Sequence, residues 1–132
     1  MPVEENDPEA AADSYAQTIR KIAGSPAIID LIHLGLGPDG HTASLIPGDP
    51  VLDLTNRDVA LTGIYQGRQR LTLTFPIINR AGRILWVITG SEKSEMLKRL
   101  TDNDLSIPAG RVSQVNAIVL ADKDAAEFFK MK

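Results

Sequence analysis

Residues 27–45 read AIIDLIHLGLGPDGHTASL and carry the strongest structural signal in the chain. The first eight of these residues are almost continuously apolar, which is typical of a strand buried on both faces of a parallel sheet. A glycine-rich loop follows directly. We therefore predict a central strand over residues 27–34, with the loop at the carboxyl edge of the sheet, where open α/β folds bind ligands.

Helix and strand signals alternate along the chain. A helix is predicted over residues 8–23, because a capping aspartate and a proline open it and a glycine follows it. Further strands are expected over 59–63, 70–74, 83–89 and 116–121. Ser91 and Asp122 are suited to cap helices over 92–100 and 123–130. This alternation, without repeats or linkers, predicts a single α/β domain over residues 1–132.

Composition excludes several classes of protein. The formal net charge of −3 argues against nucleic-acid binding, which needs a basic face. The chain has no cysteine, which excludes disulfides and cysteine nucleophiles and favours a reducing cytoplasm. The longest apolar run, residues 27–36, is interrupted by Asp30 and His33 and is too short to cross a bilayer. We therefore expect no nucleic-acid partner and no membrane span.

The loop after the strand contains Gly35, Gly37 and Gly40. Three spaced glycines also occur in dinucleotide-binding motifs, where a long helix receives the pyrophosphate. Only about six residues separate Gly40 from the next proline and glycine turn, too few for a crossover helix, so NAD binding is disfavoured. A short helix beginning near His41 or Thr42 would instead direct free amides at an anion or an oxyanion.

His41 is the candidate general base of this loop. The positive end of a helix disfavours a protonated imidazole, which leaves a neutral ring able to accept a proton from water. Asp39 could orient the ring through one nitrogen, but an aspartate that stabilises the turn explains its position equally well. For His41 the alternative is a histidine that hydrogen-bonds within a tight turn. His33 is more typical of a core histidine, and we leave it out of the site.

Three segments resemble the 6-phosphogluconolactonase family: GLGPDGHTASLIPG at 35–48, RLTLTFPIINRAGRILWVITGSEKSEMLKRL at 70–100 and NAIVLADKDAA at 116–126. A weaker similarity to glucosamine-6-phosphate deaminases covers the Gly-x-Gly-x-Asp-Gly-His core, but residues 42–47 look like the lactonase continuation. The resemblance implies a Rossmann-like, mostly parallel sheet flanked by helices, as in sugar-phosphate isomerases. It also implies no metal or organic cofactor and a place in the oxidative pentose phosphate pathway.

The resemblance further implies roles for individual residues. His41 matches a catalytic base that activates water to attack a lactone carbonyl, Asp39 supports it, and loop amides stabilise the developing negative charge. Arg70 and Lys93 match basic residues of the family and are candidate phosphate contacts, with a solvated charge as the alternative for each. The substrate-binding candidates are Gly35, Gly37, Gly40, Thr42, Arg70 and Lys93.

The resemblance covers nearly the whole chain but only the latter half of the family pattern. The glycine- and serine-rich phosphate loop and the Asp-Glu-Arg segment of the first half have no counterpart here. We therefore expect exposed strand edges or apolar surface, which favour a homodimer or a complementary chain. The leading hypothesis is a 6-phosphogluconolactonase. The alternatives are a catalytically incomplete sugar-phosphate-binding or assembly module, and an amino-sugar phosphate deaminase or isomerase.

Overall fold

A computed structural model of the chain describes residues 7–129. The strands are β1 (Leu31–Leu34), β2 (Val59–Leu61), β3 (Leu71–Leu73), β4 (Arg83–Ile88) and β5 (Ala117–Ala121). The helices are α1 (Pro8–Ala23), α2 (Phe75–Arg80) and α3 (Ser94–Thr101). Single turns of 3-10 helix cover Pro50–Asp53, Ser91–Lys93, Pro108–Arg111 and Glu127–Phe129.

The strands form two sheets. Strands β1, β4 and β5 make a parallel sheet in the order β1-β4-β5, with Leu34 opposite Trp86 and Trp86 opposite Val119. Strands β2 and β3 pair antiparallel, with Val59 opposite Leu73. The prediction of a mostly parallel α/β sheet with flanking helices is confirmed.

Local sequence signals account for most of the elements. The Asp7 carboxylate accepts a hydrogen bond of 3.2 Å from the Ala10 N–H, Pro8 opens α1, and Gly24 ends it at a φ of 91°. The predicted helix over residues 8–23 is thus confirmed. Helix α2 was not predicted from the sequence. It is only six residues long and has Pro76 near its start, so its residues show no helical periodicity.

Three of the predicted strand and cap assignments need correction. The first predicted strand is shorter than expected and lies at the edge of the described sheet, so it is not central. Ser91 caps no helix, since it begins the 3-10 turn that leads into α3. Asp122 does accept from the Ala125 N–H at 2.8 Å, but only turns and a 3-10 turn follow it, and residue 130 of that predicted helix lies outside the described residues.

The parallel sheet has one buried face and one open face. Ile32, Ile84, Trp86 and Ile88 point into the main core, where they join Leu97 and Leu100 of α3. The opposite face, which we call the open sheet face, consists of Leu31, His33, Leu85, Val87, Ile118 and Leu120. His33 is therefore exposed, and its predicted place in the core is wrong. No helix within residues 7–129 is long and apolar enough for a membrane crossing.

A segment far along the chain supports the glycine-rich loop. The Ala109 N–H donates to the Gly40 carbonyl at 3.0 Å, and a Cβ on Gly40 would lie 2.6 Å from the Cβ of Ile107. The segment is itself tightly folded, because a Cβ on Gly110 would lie only 1.9 Å from the Asp104 carbonyl oxygen. The loop conformation thus depends on backbone packing around Gly110.

We expect Gly110→Ala to destabilise the protein by about 1–3 kcal/mol, because the added methyl group meets backbone atoms that cannot rotate away. Urea unfolding followed by circular dichroism measures the shift of the midpoint. Gly35→Ala is the matched control, since nothing lies within 4 Å of the added Cβ. Equal midpoints for the two variants would contradict this account of the loop.

Candidate active site

The glycine-rich loop begins where β1 ends, at the carboxyl edge of the parallel sheet. Lys93 comes from the segment that follows β4, and it reaches the same edge, where its ammonium donates to the Leu36 carbonyl. Carboxyl ends of parallel strands meet at one edge, which is where ligands bind in open α/β folds. The predicted position of the loop is confirmed.

The loop is a series of turns closed by its own backbone. The Gly37 N–H donates to the His41 carbonyl at 2.8 Å, and the Gly40 N–H donates to the Gly37 carbonyl at 3.0 Å. The buried Thr42 hydroxyl donates to the Gly35 carbonyl at 2.8 Å. No helix begins at His41 or Thr42, so the prediction of a short helix there, with its dipole acting on the imidazole, is wrong.

His41 and Asp39 form a close pair. Oδ1 of Asp39 lies 2.5 Å from Nδ1 of His41 and 3.1 Å from the His41 backbone N–H, which donates to it. Partial burial alone would raise the pKa of Asp39, but the hydrogen bonds and the charge interaction with His41 outweigh this effect and lower that pKa. Asp39 is therefore ionised at neutral pH and accepts the Nδ1 proton. The lone pair of the neutral ring then lies on Nε2.

Gly37 fixes the position of the imidazole. A Cβ at this residue would lie 2.1 Å from Nδ1 of His41 and 2.2 Å from its Cε1. The ring thus lies directly against the Gly37 backbone, and only glycine leaves room for it. Together Gly37 and Asp39 hold the imidazole from two sides.

A cleft of about 200 Å³ opens beside His41. Its lining residues are His41, Ala43, Ser44, Ile46, Thr62, Tyr65, Gln66 and Arg70. One wall is the glycine-rich loop and the other is the hairpin of β2 and β3. The volume suits a small ligand, and the lining combines apolar surface with polar groups from Thr62, Gln66 and Arg70.

Two side chains fasten the hairpin to the loop. The Thr72 hydroxyl of β3 accepts from the Ser44 N–H at 3.1 Å. The Asp49 carboxylate accepts from the Gly63 N–H and from the Val51 N–H, each at 2.9 Å. The cleft is therefore held open by hydrogen bonds between segments that are distant in the sequence.

The two basic candidates occupy different positions. Arg70 is exposed and lines the cleft with His41, and its guanidinium forms no ion pair with any residue between 7 and 129. Lys93 contacts the loop backbone through Leu36 and does not line the cleft. By contrast, Arg80 makes a two-pronged ion pair with Asp58, with N–O distances of 2.8 and 2.9 Å.

Several lining residues were missed by sequence reasoning. Tyr65 and Gln66 lie at the hairpin tip, where Tyr65 bridges to Arg68 and Gln66 adopts a φ of 52°. The Gln-Gly pair between two predicted strands was an available signal of this turn. Ala43 also has a positive φ, 51°, which nothing in its residue type indicates. No cluster of three or more metal-ligating side chains occurs within residues 7–129.

Comparison with known proteins places these features in a family. The family model described as glucosamine-6-phosphate isomerases/6-phosphogluconolactonase matches residues 1–120. The chain is 41% identical to the 6-phosphogluconolactonases of Rattus norvegicus, over 79% of this chain, and of Synechocystis, over 74% of it. It spans 42% of the length of each.

A solved structure supports the same relationship. The 6-phosphogluconolactonase of Trypanosoma cruzi superposes with a TM-score of 0.76 at 28% identity, covering 89% of this chain and 50% of that one. The similarity thus extends over sequence, sheet topology and the segment that carries His41. The chain belongs to the glucosamine-6-phosphate isomerase and 6-phosphogluconolactonase family.

Proposed function

We propose that the chain carries the hydrolytic site of a cytoplasmic 6-phosphogluconolactonase, which converts 6-phospho-glucono-1,5-lactone to 6-phosphogluconate. The observation that carries this proposal is the 2.5 Å contact between Asp39 and His41, whose imidazole lines the cleft. Both curated relatives described above are named 6-phosphogluconolactonase. The relatives are about twice as long as this chain, so the reaction of the complete enzyme is inferred from the site that is present.

The pair supplies general base catalysis. Asp39 holds the proton on Nδ1, so Nε2 of His41 accepts a proton from water while the water oxygen attacks the lactone carbonyl carbon. The tetrahedral intermediate then collapses, and the bond between the carbonyl carbon and the ring oxygen breaks. The imidazolium returns its proton to that departing oxygen, which gives the open-chain acid and a neutral His41.

Stabilisation of the oxyanion requires amide donors that are free to bind it. The N–H groups of Gly37 and Gly40 are engaged within the loop, which argues against the expectation that they serve this purpose. Ala43 is a better candidate, because it lines the cleft and its N–H makes no hydrogen bond within residues 7–129. Gly35 and Thr42 then act by shaping the loop, through the hydrogen bond that joins them.

The cleft favours lactone hydrolysis over amino-sugar phosphate deamination or isomerisation. Those reactions need a further acid or base near His41. Among the described residues that line the cleft, none is a carboxylate and none besides His41 is a histidine. A sugar-phosphate-binding module without turnover remains the second candidate, since the chain spans about half the length of its relatives.

Replacing His41 tests the catalytic role. We expect His41→Ala to lower the rate of lactone hydrolysis by about 10²–10⁴-fold, because general base catalysis is lost. The assay follows hydrolysis of freshly generated 6-phosphogluconolactone, corrected for spontaneous ring opening. His33→Ala is the matched control, since it removes an exposed histidine that lies on the open sheet face and does not line the cleft. Undiminished hydrolysis by His41→Ala would reject the mechanism, whereas a folded wild-type chain without turnover would support the binding module.

Gly37→Ala tests whether the close contact with the Gly37 backbone positions the His41 imidazole. The new methyl group would overlap the His41 ring, so we expect the ring to move and hydrolysis to fall by about 100-fold. Gly35→Ala lies in the same loop, has open space around its Cβ and should retain activity. Histidine NMR signals would report the displacement directly. Full activity in Gly37→Ala would show that the close contact is dispensable.

Phosphate recognition distinguishes Arg70 from Lys93. We expect Arg70→Gln to raise KM for the phosphorylated lactone by about tenfold, because the ion pair between the guanidinium and the substrate phosphate is lost. Hydrolysis of unphosphorylated glucono-1,5-lactone should be unchanged, because that substrate has no phosphate to bind. Lys93→Gln should slow both substrates alike if its contact with Leu36 supports the loop. Arg68→Gln, at the exposed hairpin tip, is the control for net charge. Equal effects of Arg70→Gln on both lactones would exclude Arg70 as a phosphate contact.

A further inference from the structure

Tyr65 brings an aromatic ring to the cleft beside His41. Apart from His41, it is the only aromatic residue among the described residues that line this cleft. Tyr65 is half-buried, whereas its neighbour Ile64 is 80% exposed and does not belong to the lining. The hydrolytic step at His41 and the phosphate contact of Arg70 leave the Tyr65 ring without a role, although it lies in the same cleft.

A β-bulge in the hairpin gives Tyr65 its position. The Thr62 N–H donates to the Arg70 carbonyl at 2.9 Å, so a regular antiparallel ladder would next pair Arg68 with Ile64. Arg68 pairs with Tyr65 instead, which leaves one extra residue on the Tyr65 side of the hairpin. Because paired residues share a face of a sheet, the bulge gives Tyr65, and not Ile64, the position that faces the cleft.

The turn after Tyr65 fixes its backbone. The Tyr65 N–H donates to the Arg68 carbonyl at 2.9 Å, and the Arg68 N–H donates to the Tyr65 carbonyl at 3.1 Å. Gln66 and Gly67 between them have φ values of 52° and 74°, both positive as in the type I′ turns that suit hairpins. A tyrosine side chain has only two χ angles, so its ring loses little conformational freedom when a ligand packs against it.

The cleft has apolar surface on both of its walls. Ile46 supplies it on the glycine-rich loop and Tyr65 supplies it on the hairpin. A gluconolactone ring carries its hydroxyl groups around its edge and C–H bonds on its two faces, and such a face packs well against an aromatic ring. We propose that Tyr65 is a substrate-binding residue that packs its aromatic ring against the sugar ring of the lactone. The role rests on the lactone site proposed above, and it adds a contact that does not depend on the phosphate.

Kinetics on two lactones separate ring packing from phosphate binding. Tyr65→Ala should raise KM by about three- to tenfold for both 6-phosphogluconolactone and glucono-1,5-lactone, because both contain the ring that loses its contact. The kcat value should change little, since the contact is made equally in the ground state and the transition state. Tyr65→Phe keeps the aromatic ring and should restore the wild-type KM. Ile64→Ala is the matched control, because Ile64 is the exposed neighbour outside the lining.

A binding measurement tests the same contact without turnover. Glucose 6-phosphate has the same six-membered ring and phosphate but no lactone bond to hydrolyse. Titration calorimetry should show that Tyr65→Ala raises its Kd by about three- to tenfold, whereas Tyr65→Phe and Ile64→Ala keep the wild-type Kd. Circular dichroism checks that each variant is folded.

The two readouts separate the role of Tyr65 from the reaction. A raised Kd in Tyr65→Ala, in a chain that hydrolyses neither lactone, would support the ring contact and reject the hydrolysis. Unchanged KM and Kd in Tyr65→Ala, while His41→Ala abolishes hydrolysis, would overturn the role of Tyr65 alone. A KM increase confined to the phosphorylated lactone, or one that Tyr65→Phe reproduces, would also overturn it. A wild-type chain that neither hydrolyses a lactone nor binds glucose 6-phosphate would reject both proposals.

Discussion

The contact between Asp39 and His41 imposes the strictest requirement on this structure. Two residues that are nearly adjacent in the chain must bring a carboxylate oxygen within 2.5 Å of Nδ1, which forces the backbone into a tight turn. Gly40, at a φ of 87°, allows that turn, and Gly37 leaves space for the ring inside it. Gly37 and Gly40 therefore serve the geometry of the pair.

The conformation of this turn also depends on segments elsewhere in the fold. A turn this tight has little hydrophobic contact of its own, so it depends on the segments that surround it. Ala109 binds the Gly40 carbonyl, Lys93 binds the Leu36 carbonyl, and Thr72 binds the Ser44 amide. These partners come from three places later in the chain. The position of the imidazole therefore depends on β3, on the Ser91–Lys93 turn and on the Pro108–Arg111 turn.

Sequence reasoning recovered the elements that local chemistry specifies. Capping residues located α1, apolar runs located the parallel strands, and the glycine-rich motif pointed to Asp39 and His41. It failed where tertiary contacts decide the outcome. The exposure of His33, for example, depends on which elements cover the sheet. The cleft itself needs the hairpin to fold back over the loop, which no local pattern encodes.

The tip of the hairpin makes fewer contacts with the rest of the molecule than the glycine-rich loop does. Tyr65 and Arg68 bond mainly to each other, whereas the loop is joined to the core at several points. Sequence changes at the tip can accordingly alter one wall of the cleft without moving the imidazole. Evolution can accordingly vary the shape of one wall of the cleft while the Asp39 and His41 pair keeps its geometry, because the tip and the pair lie on different turns of the backbone.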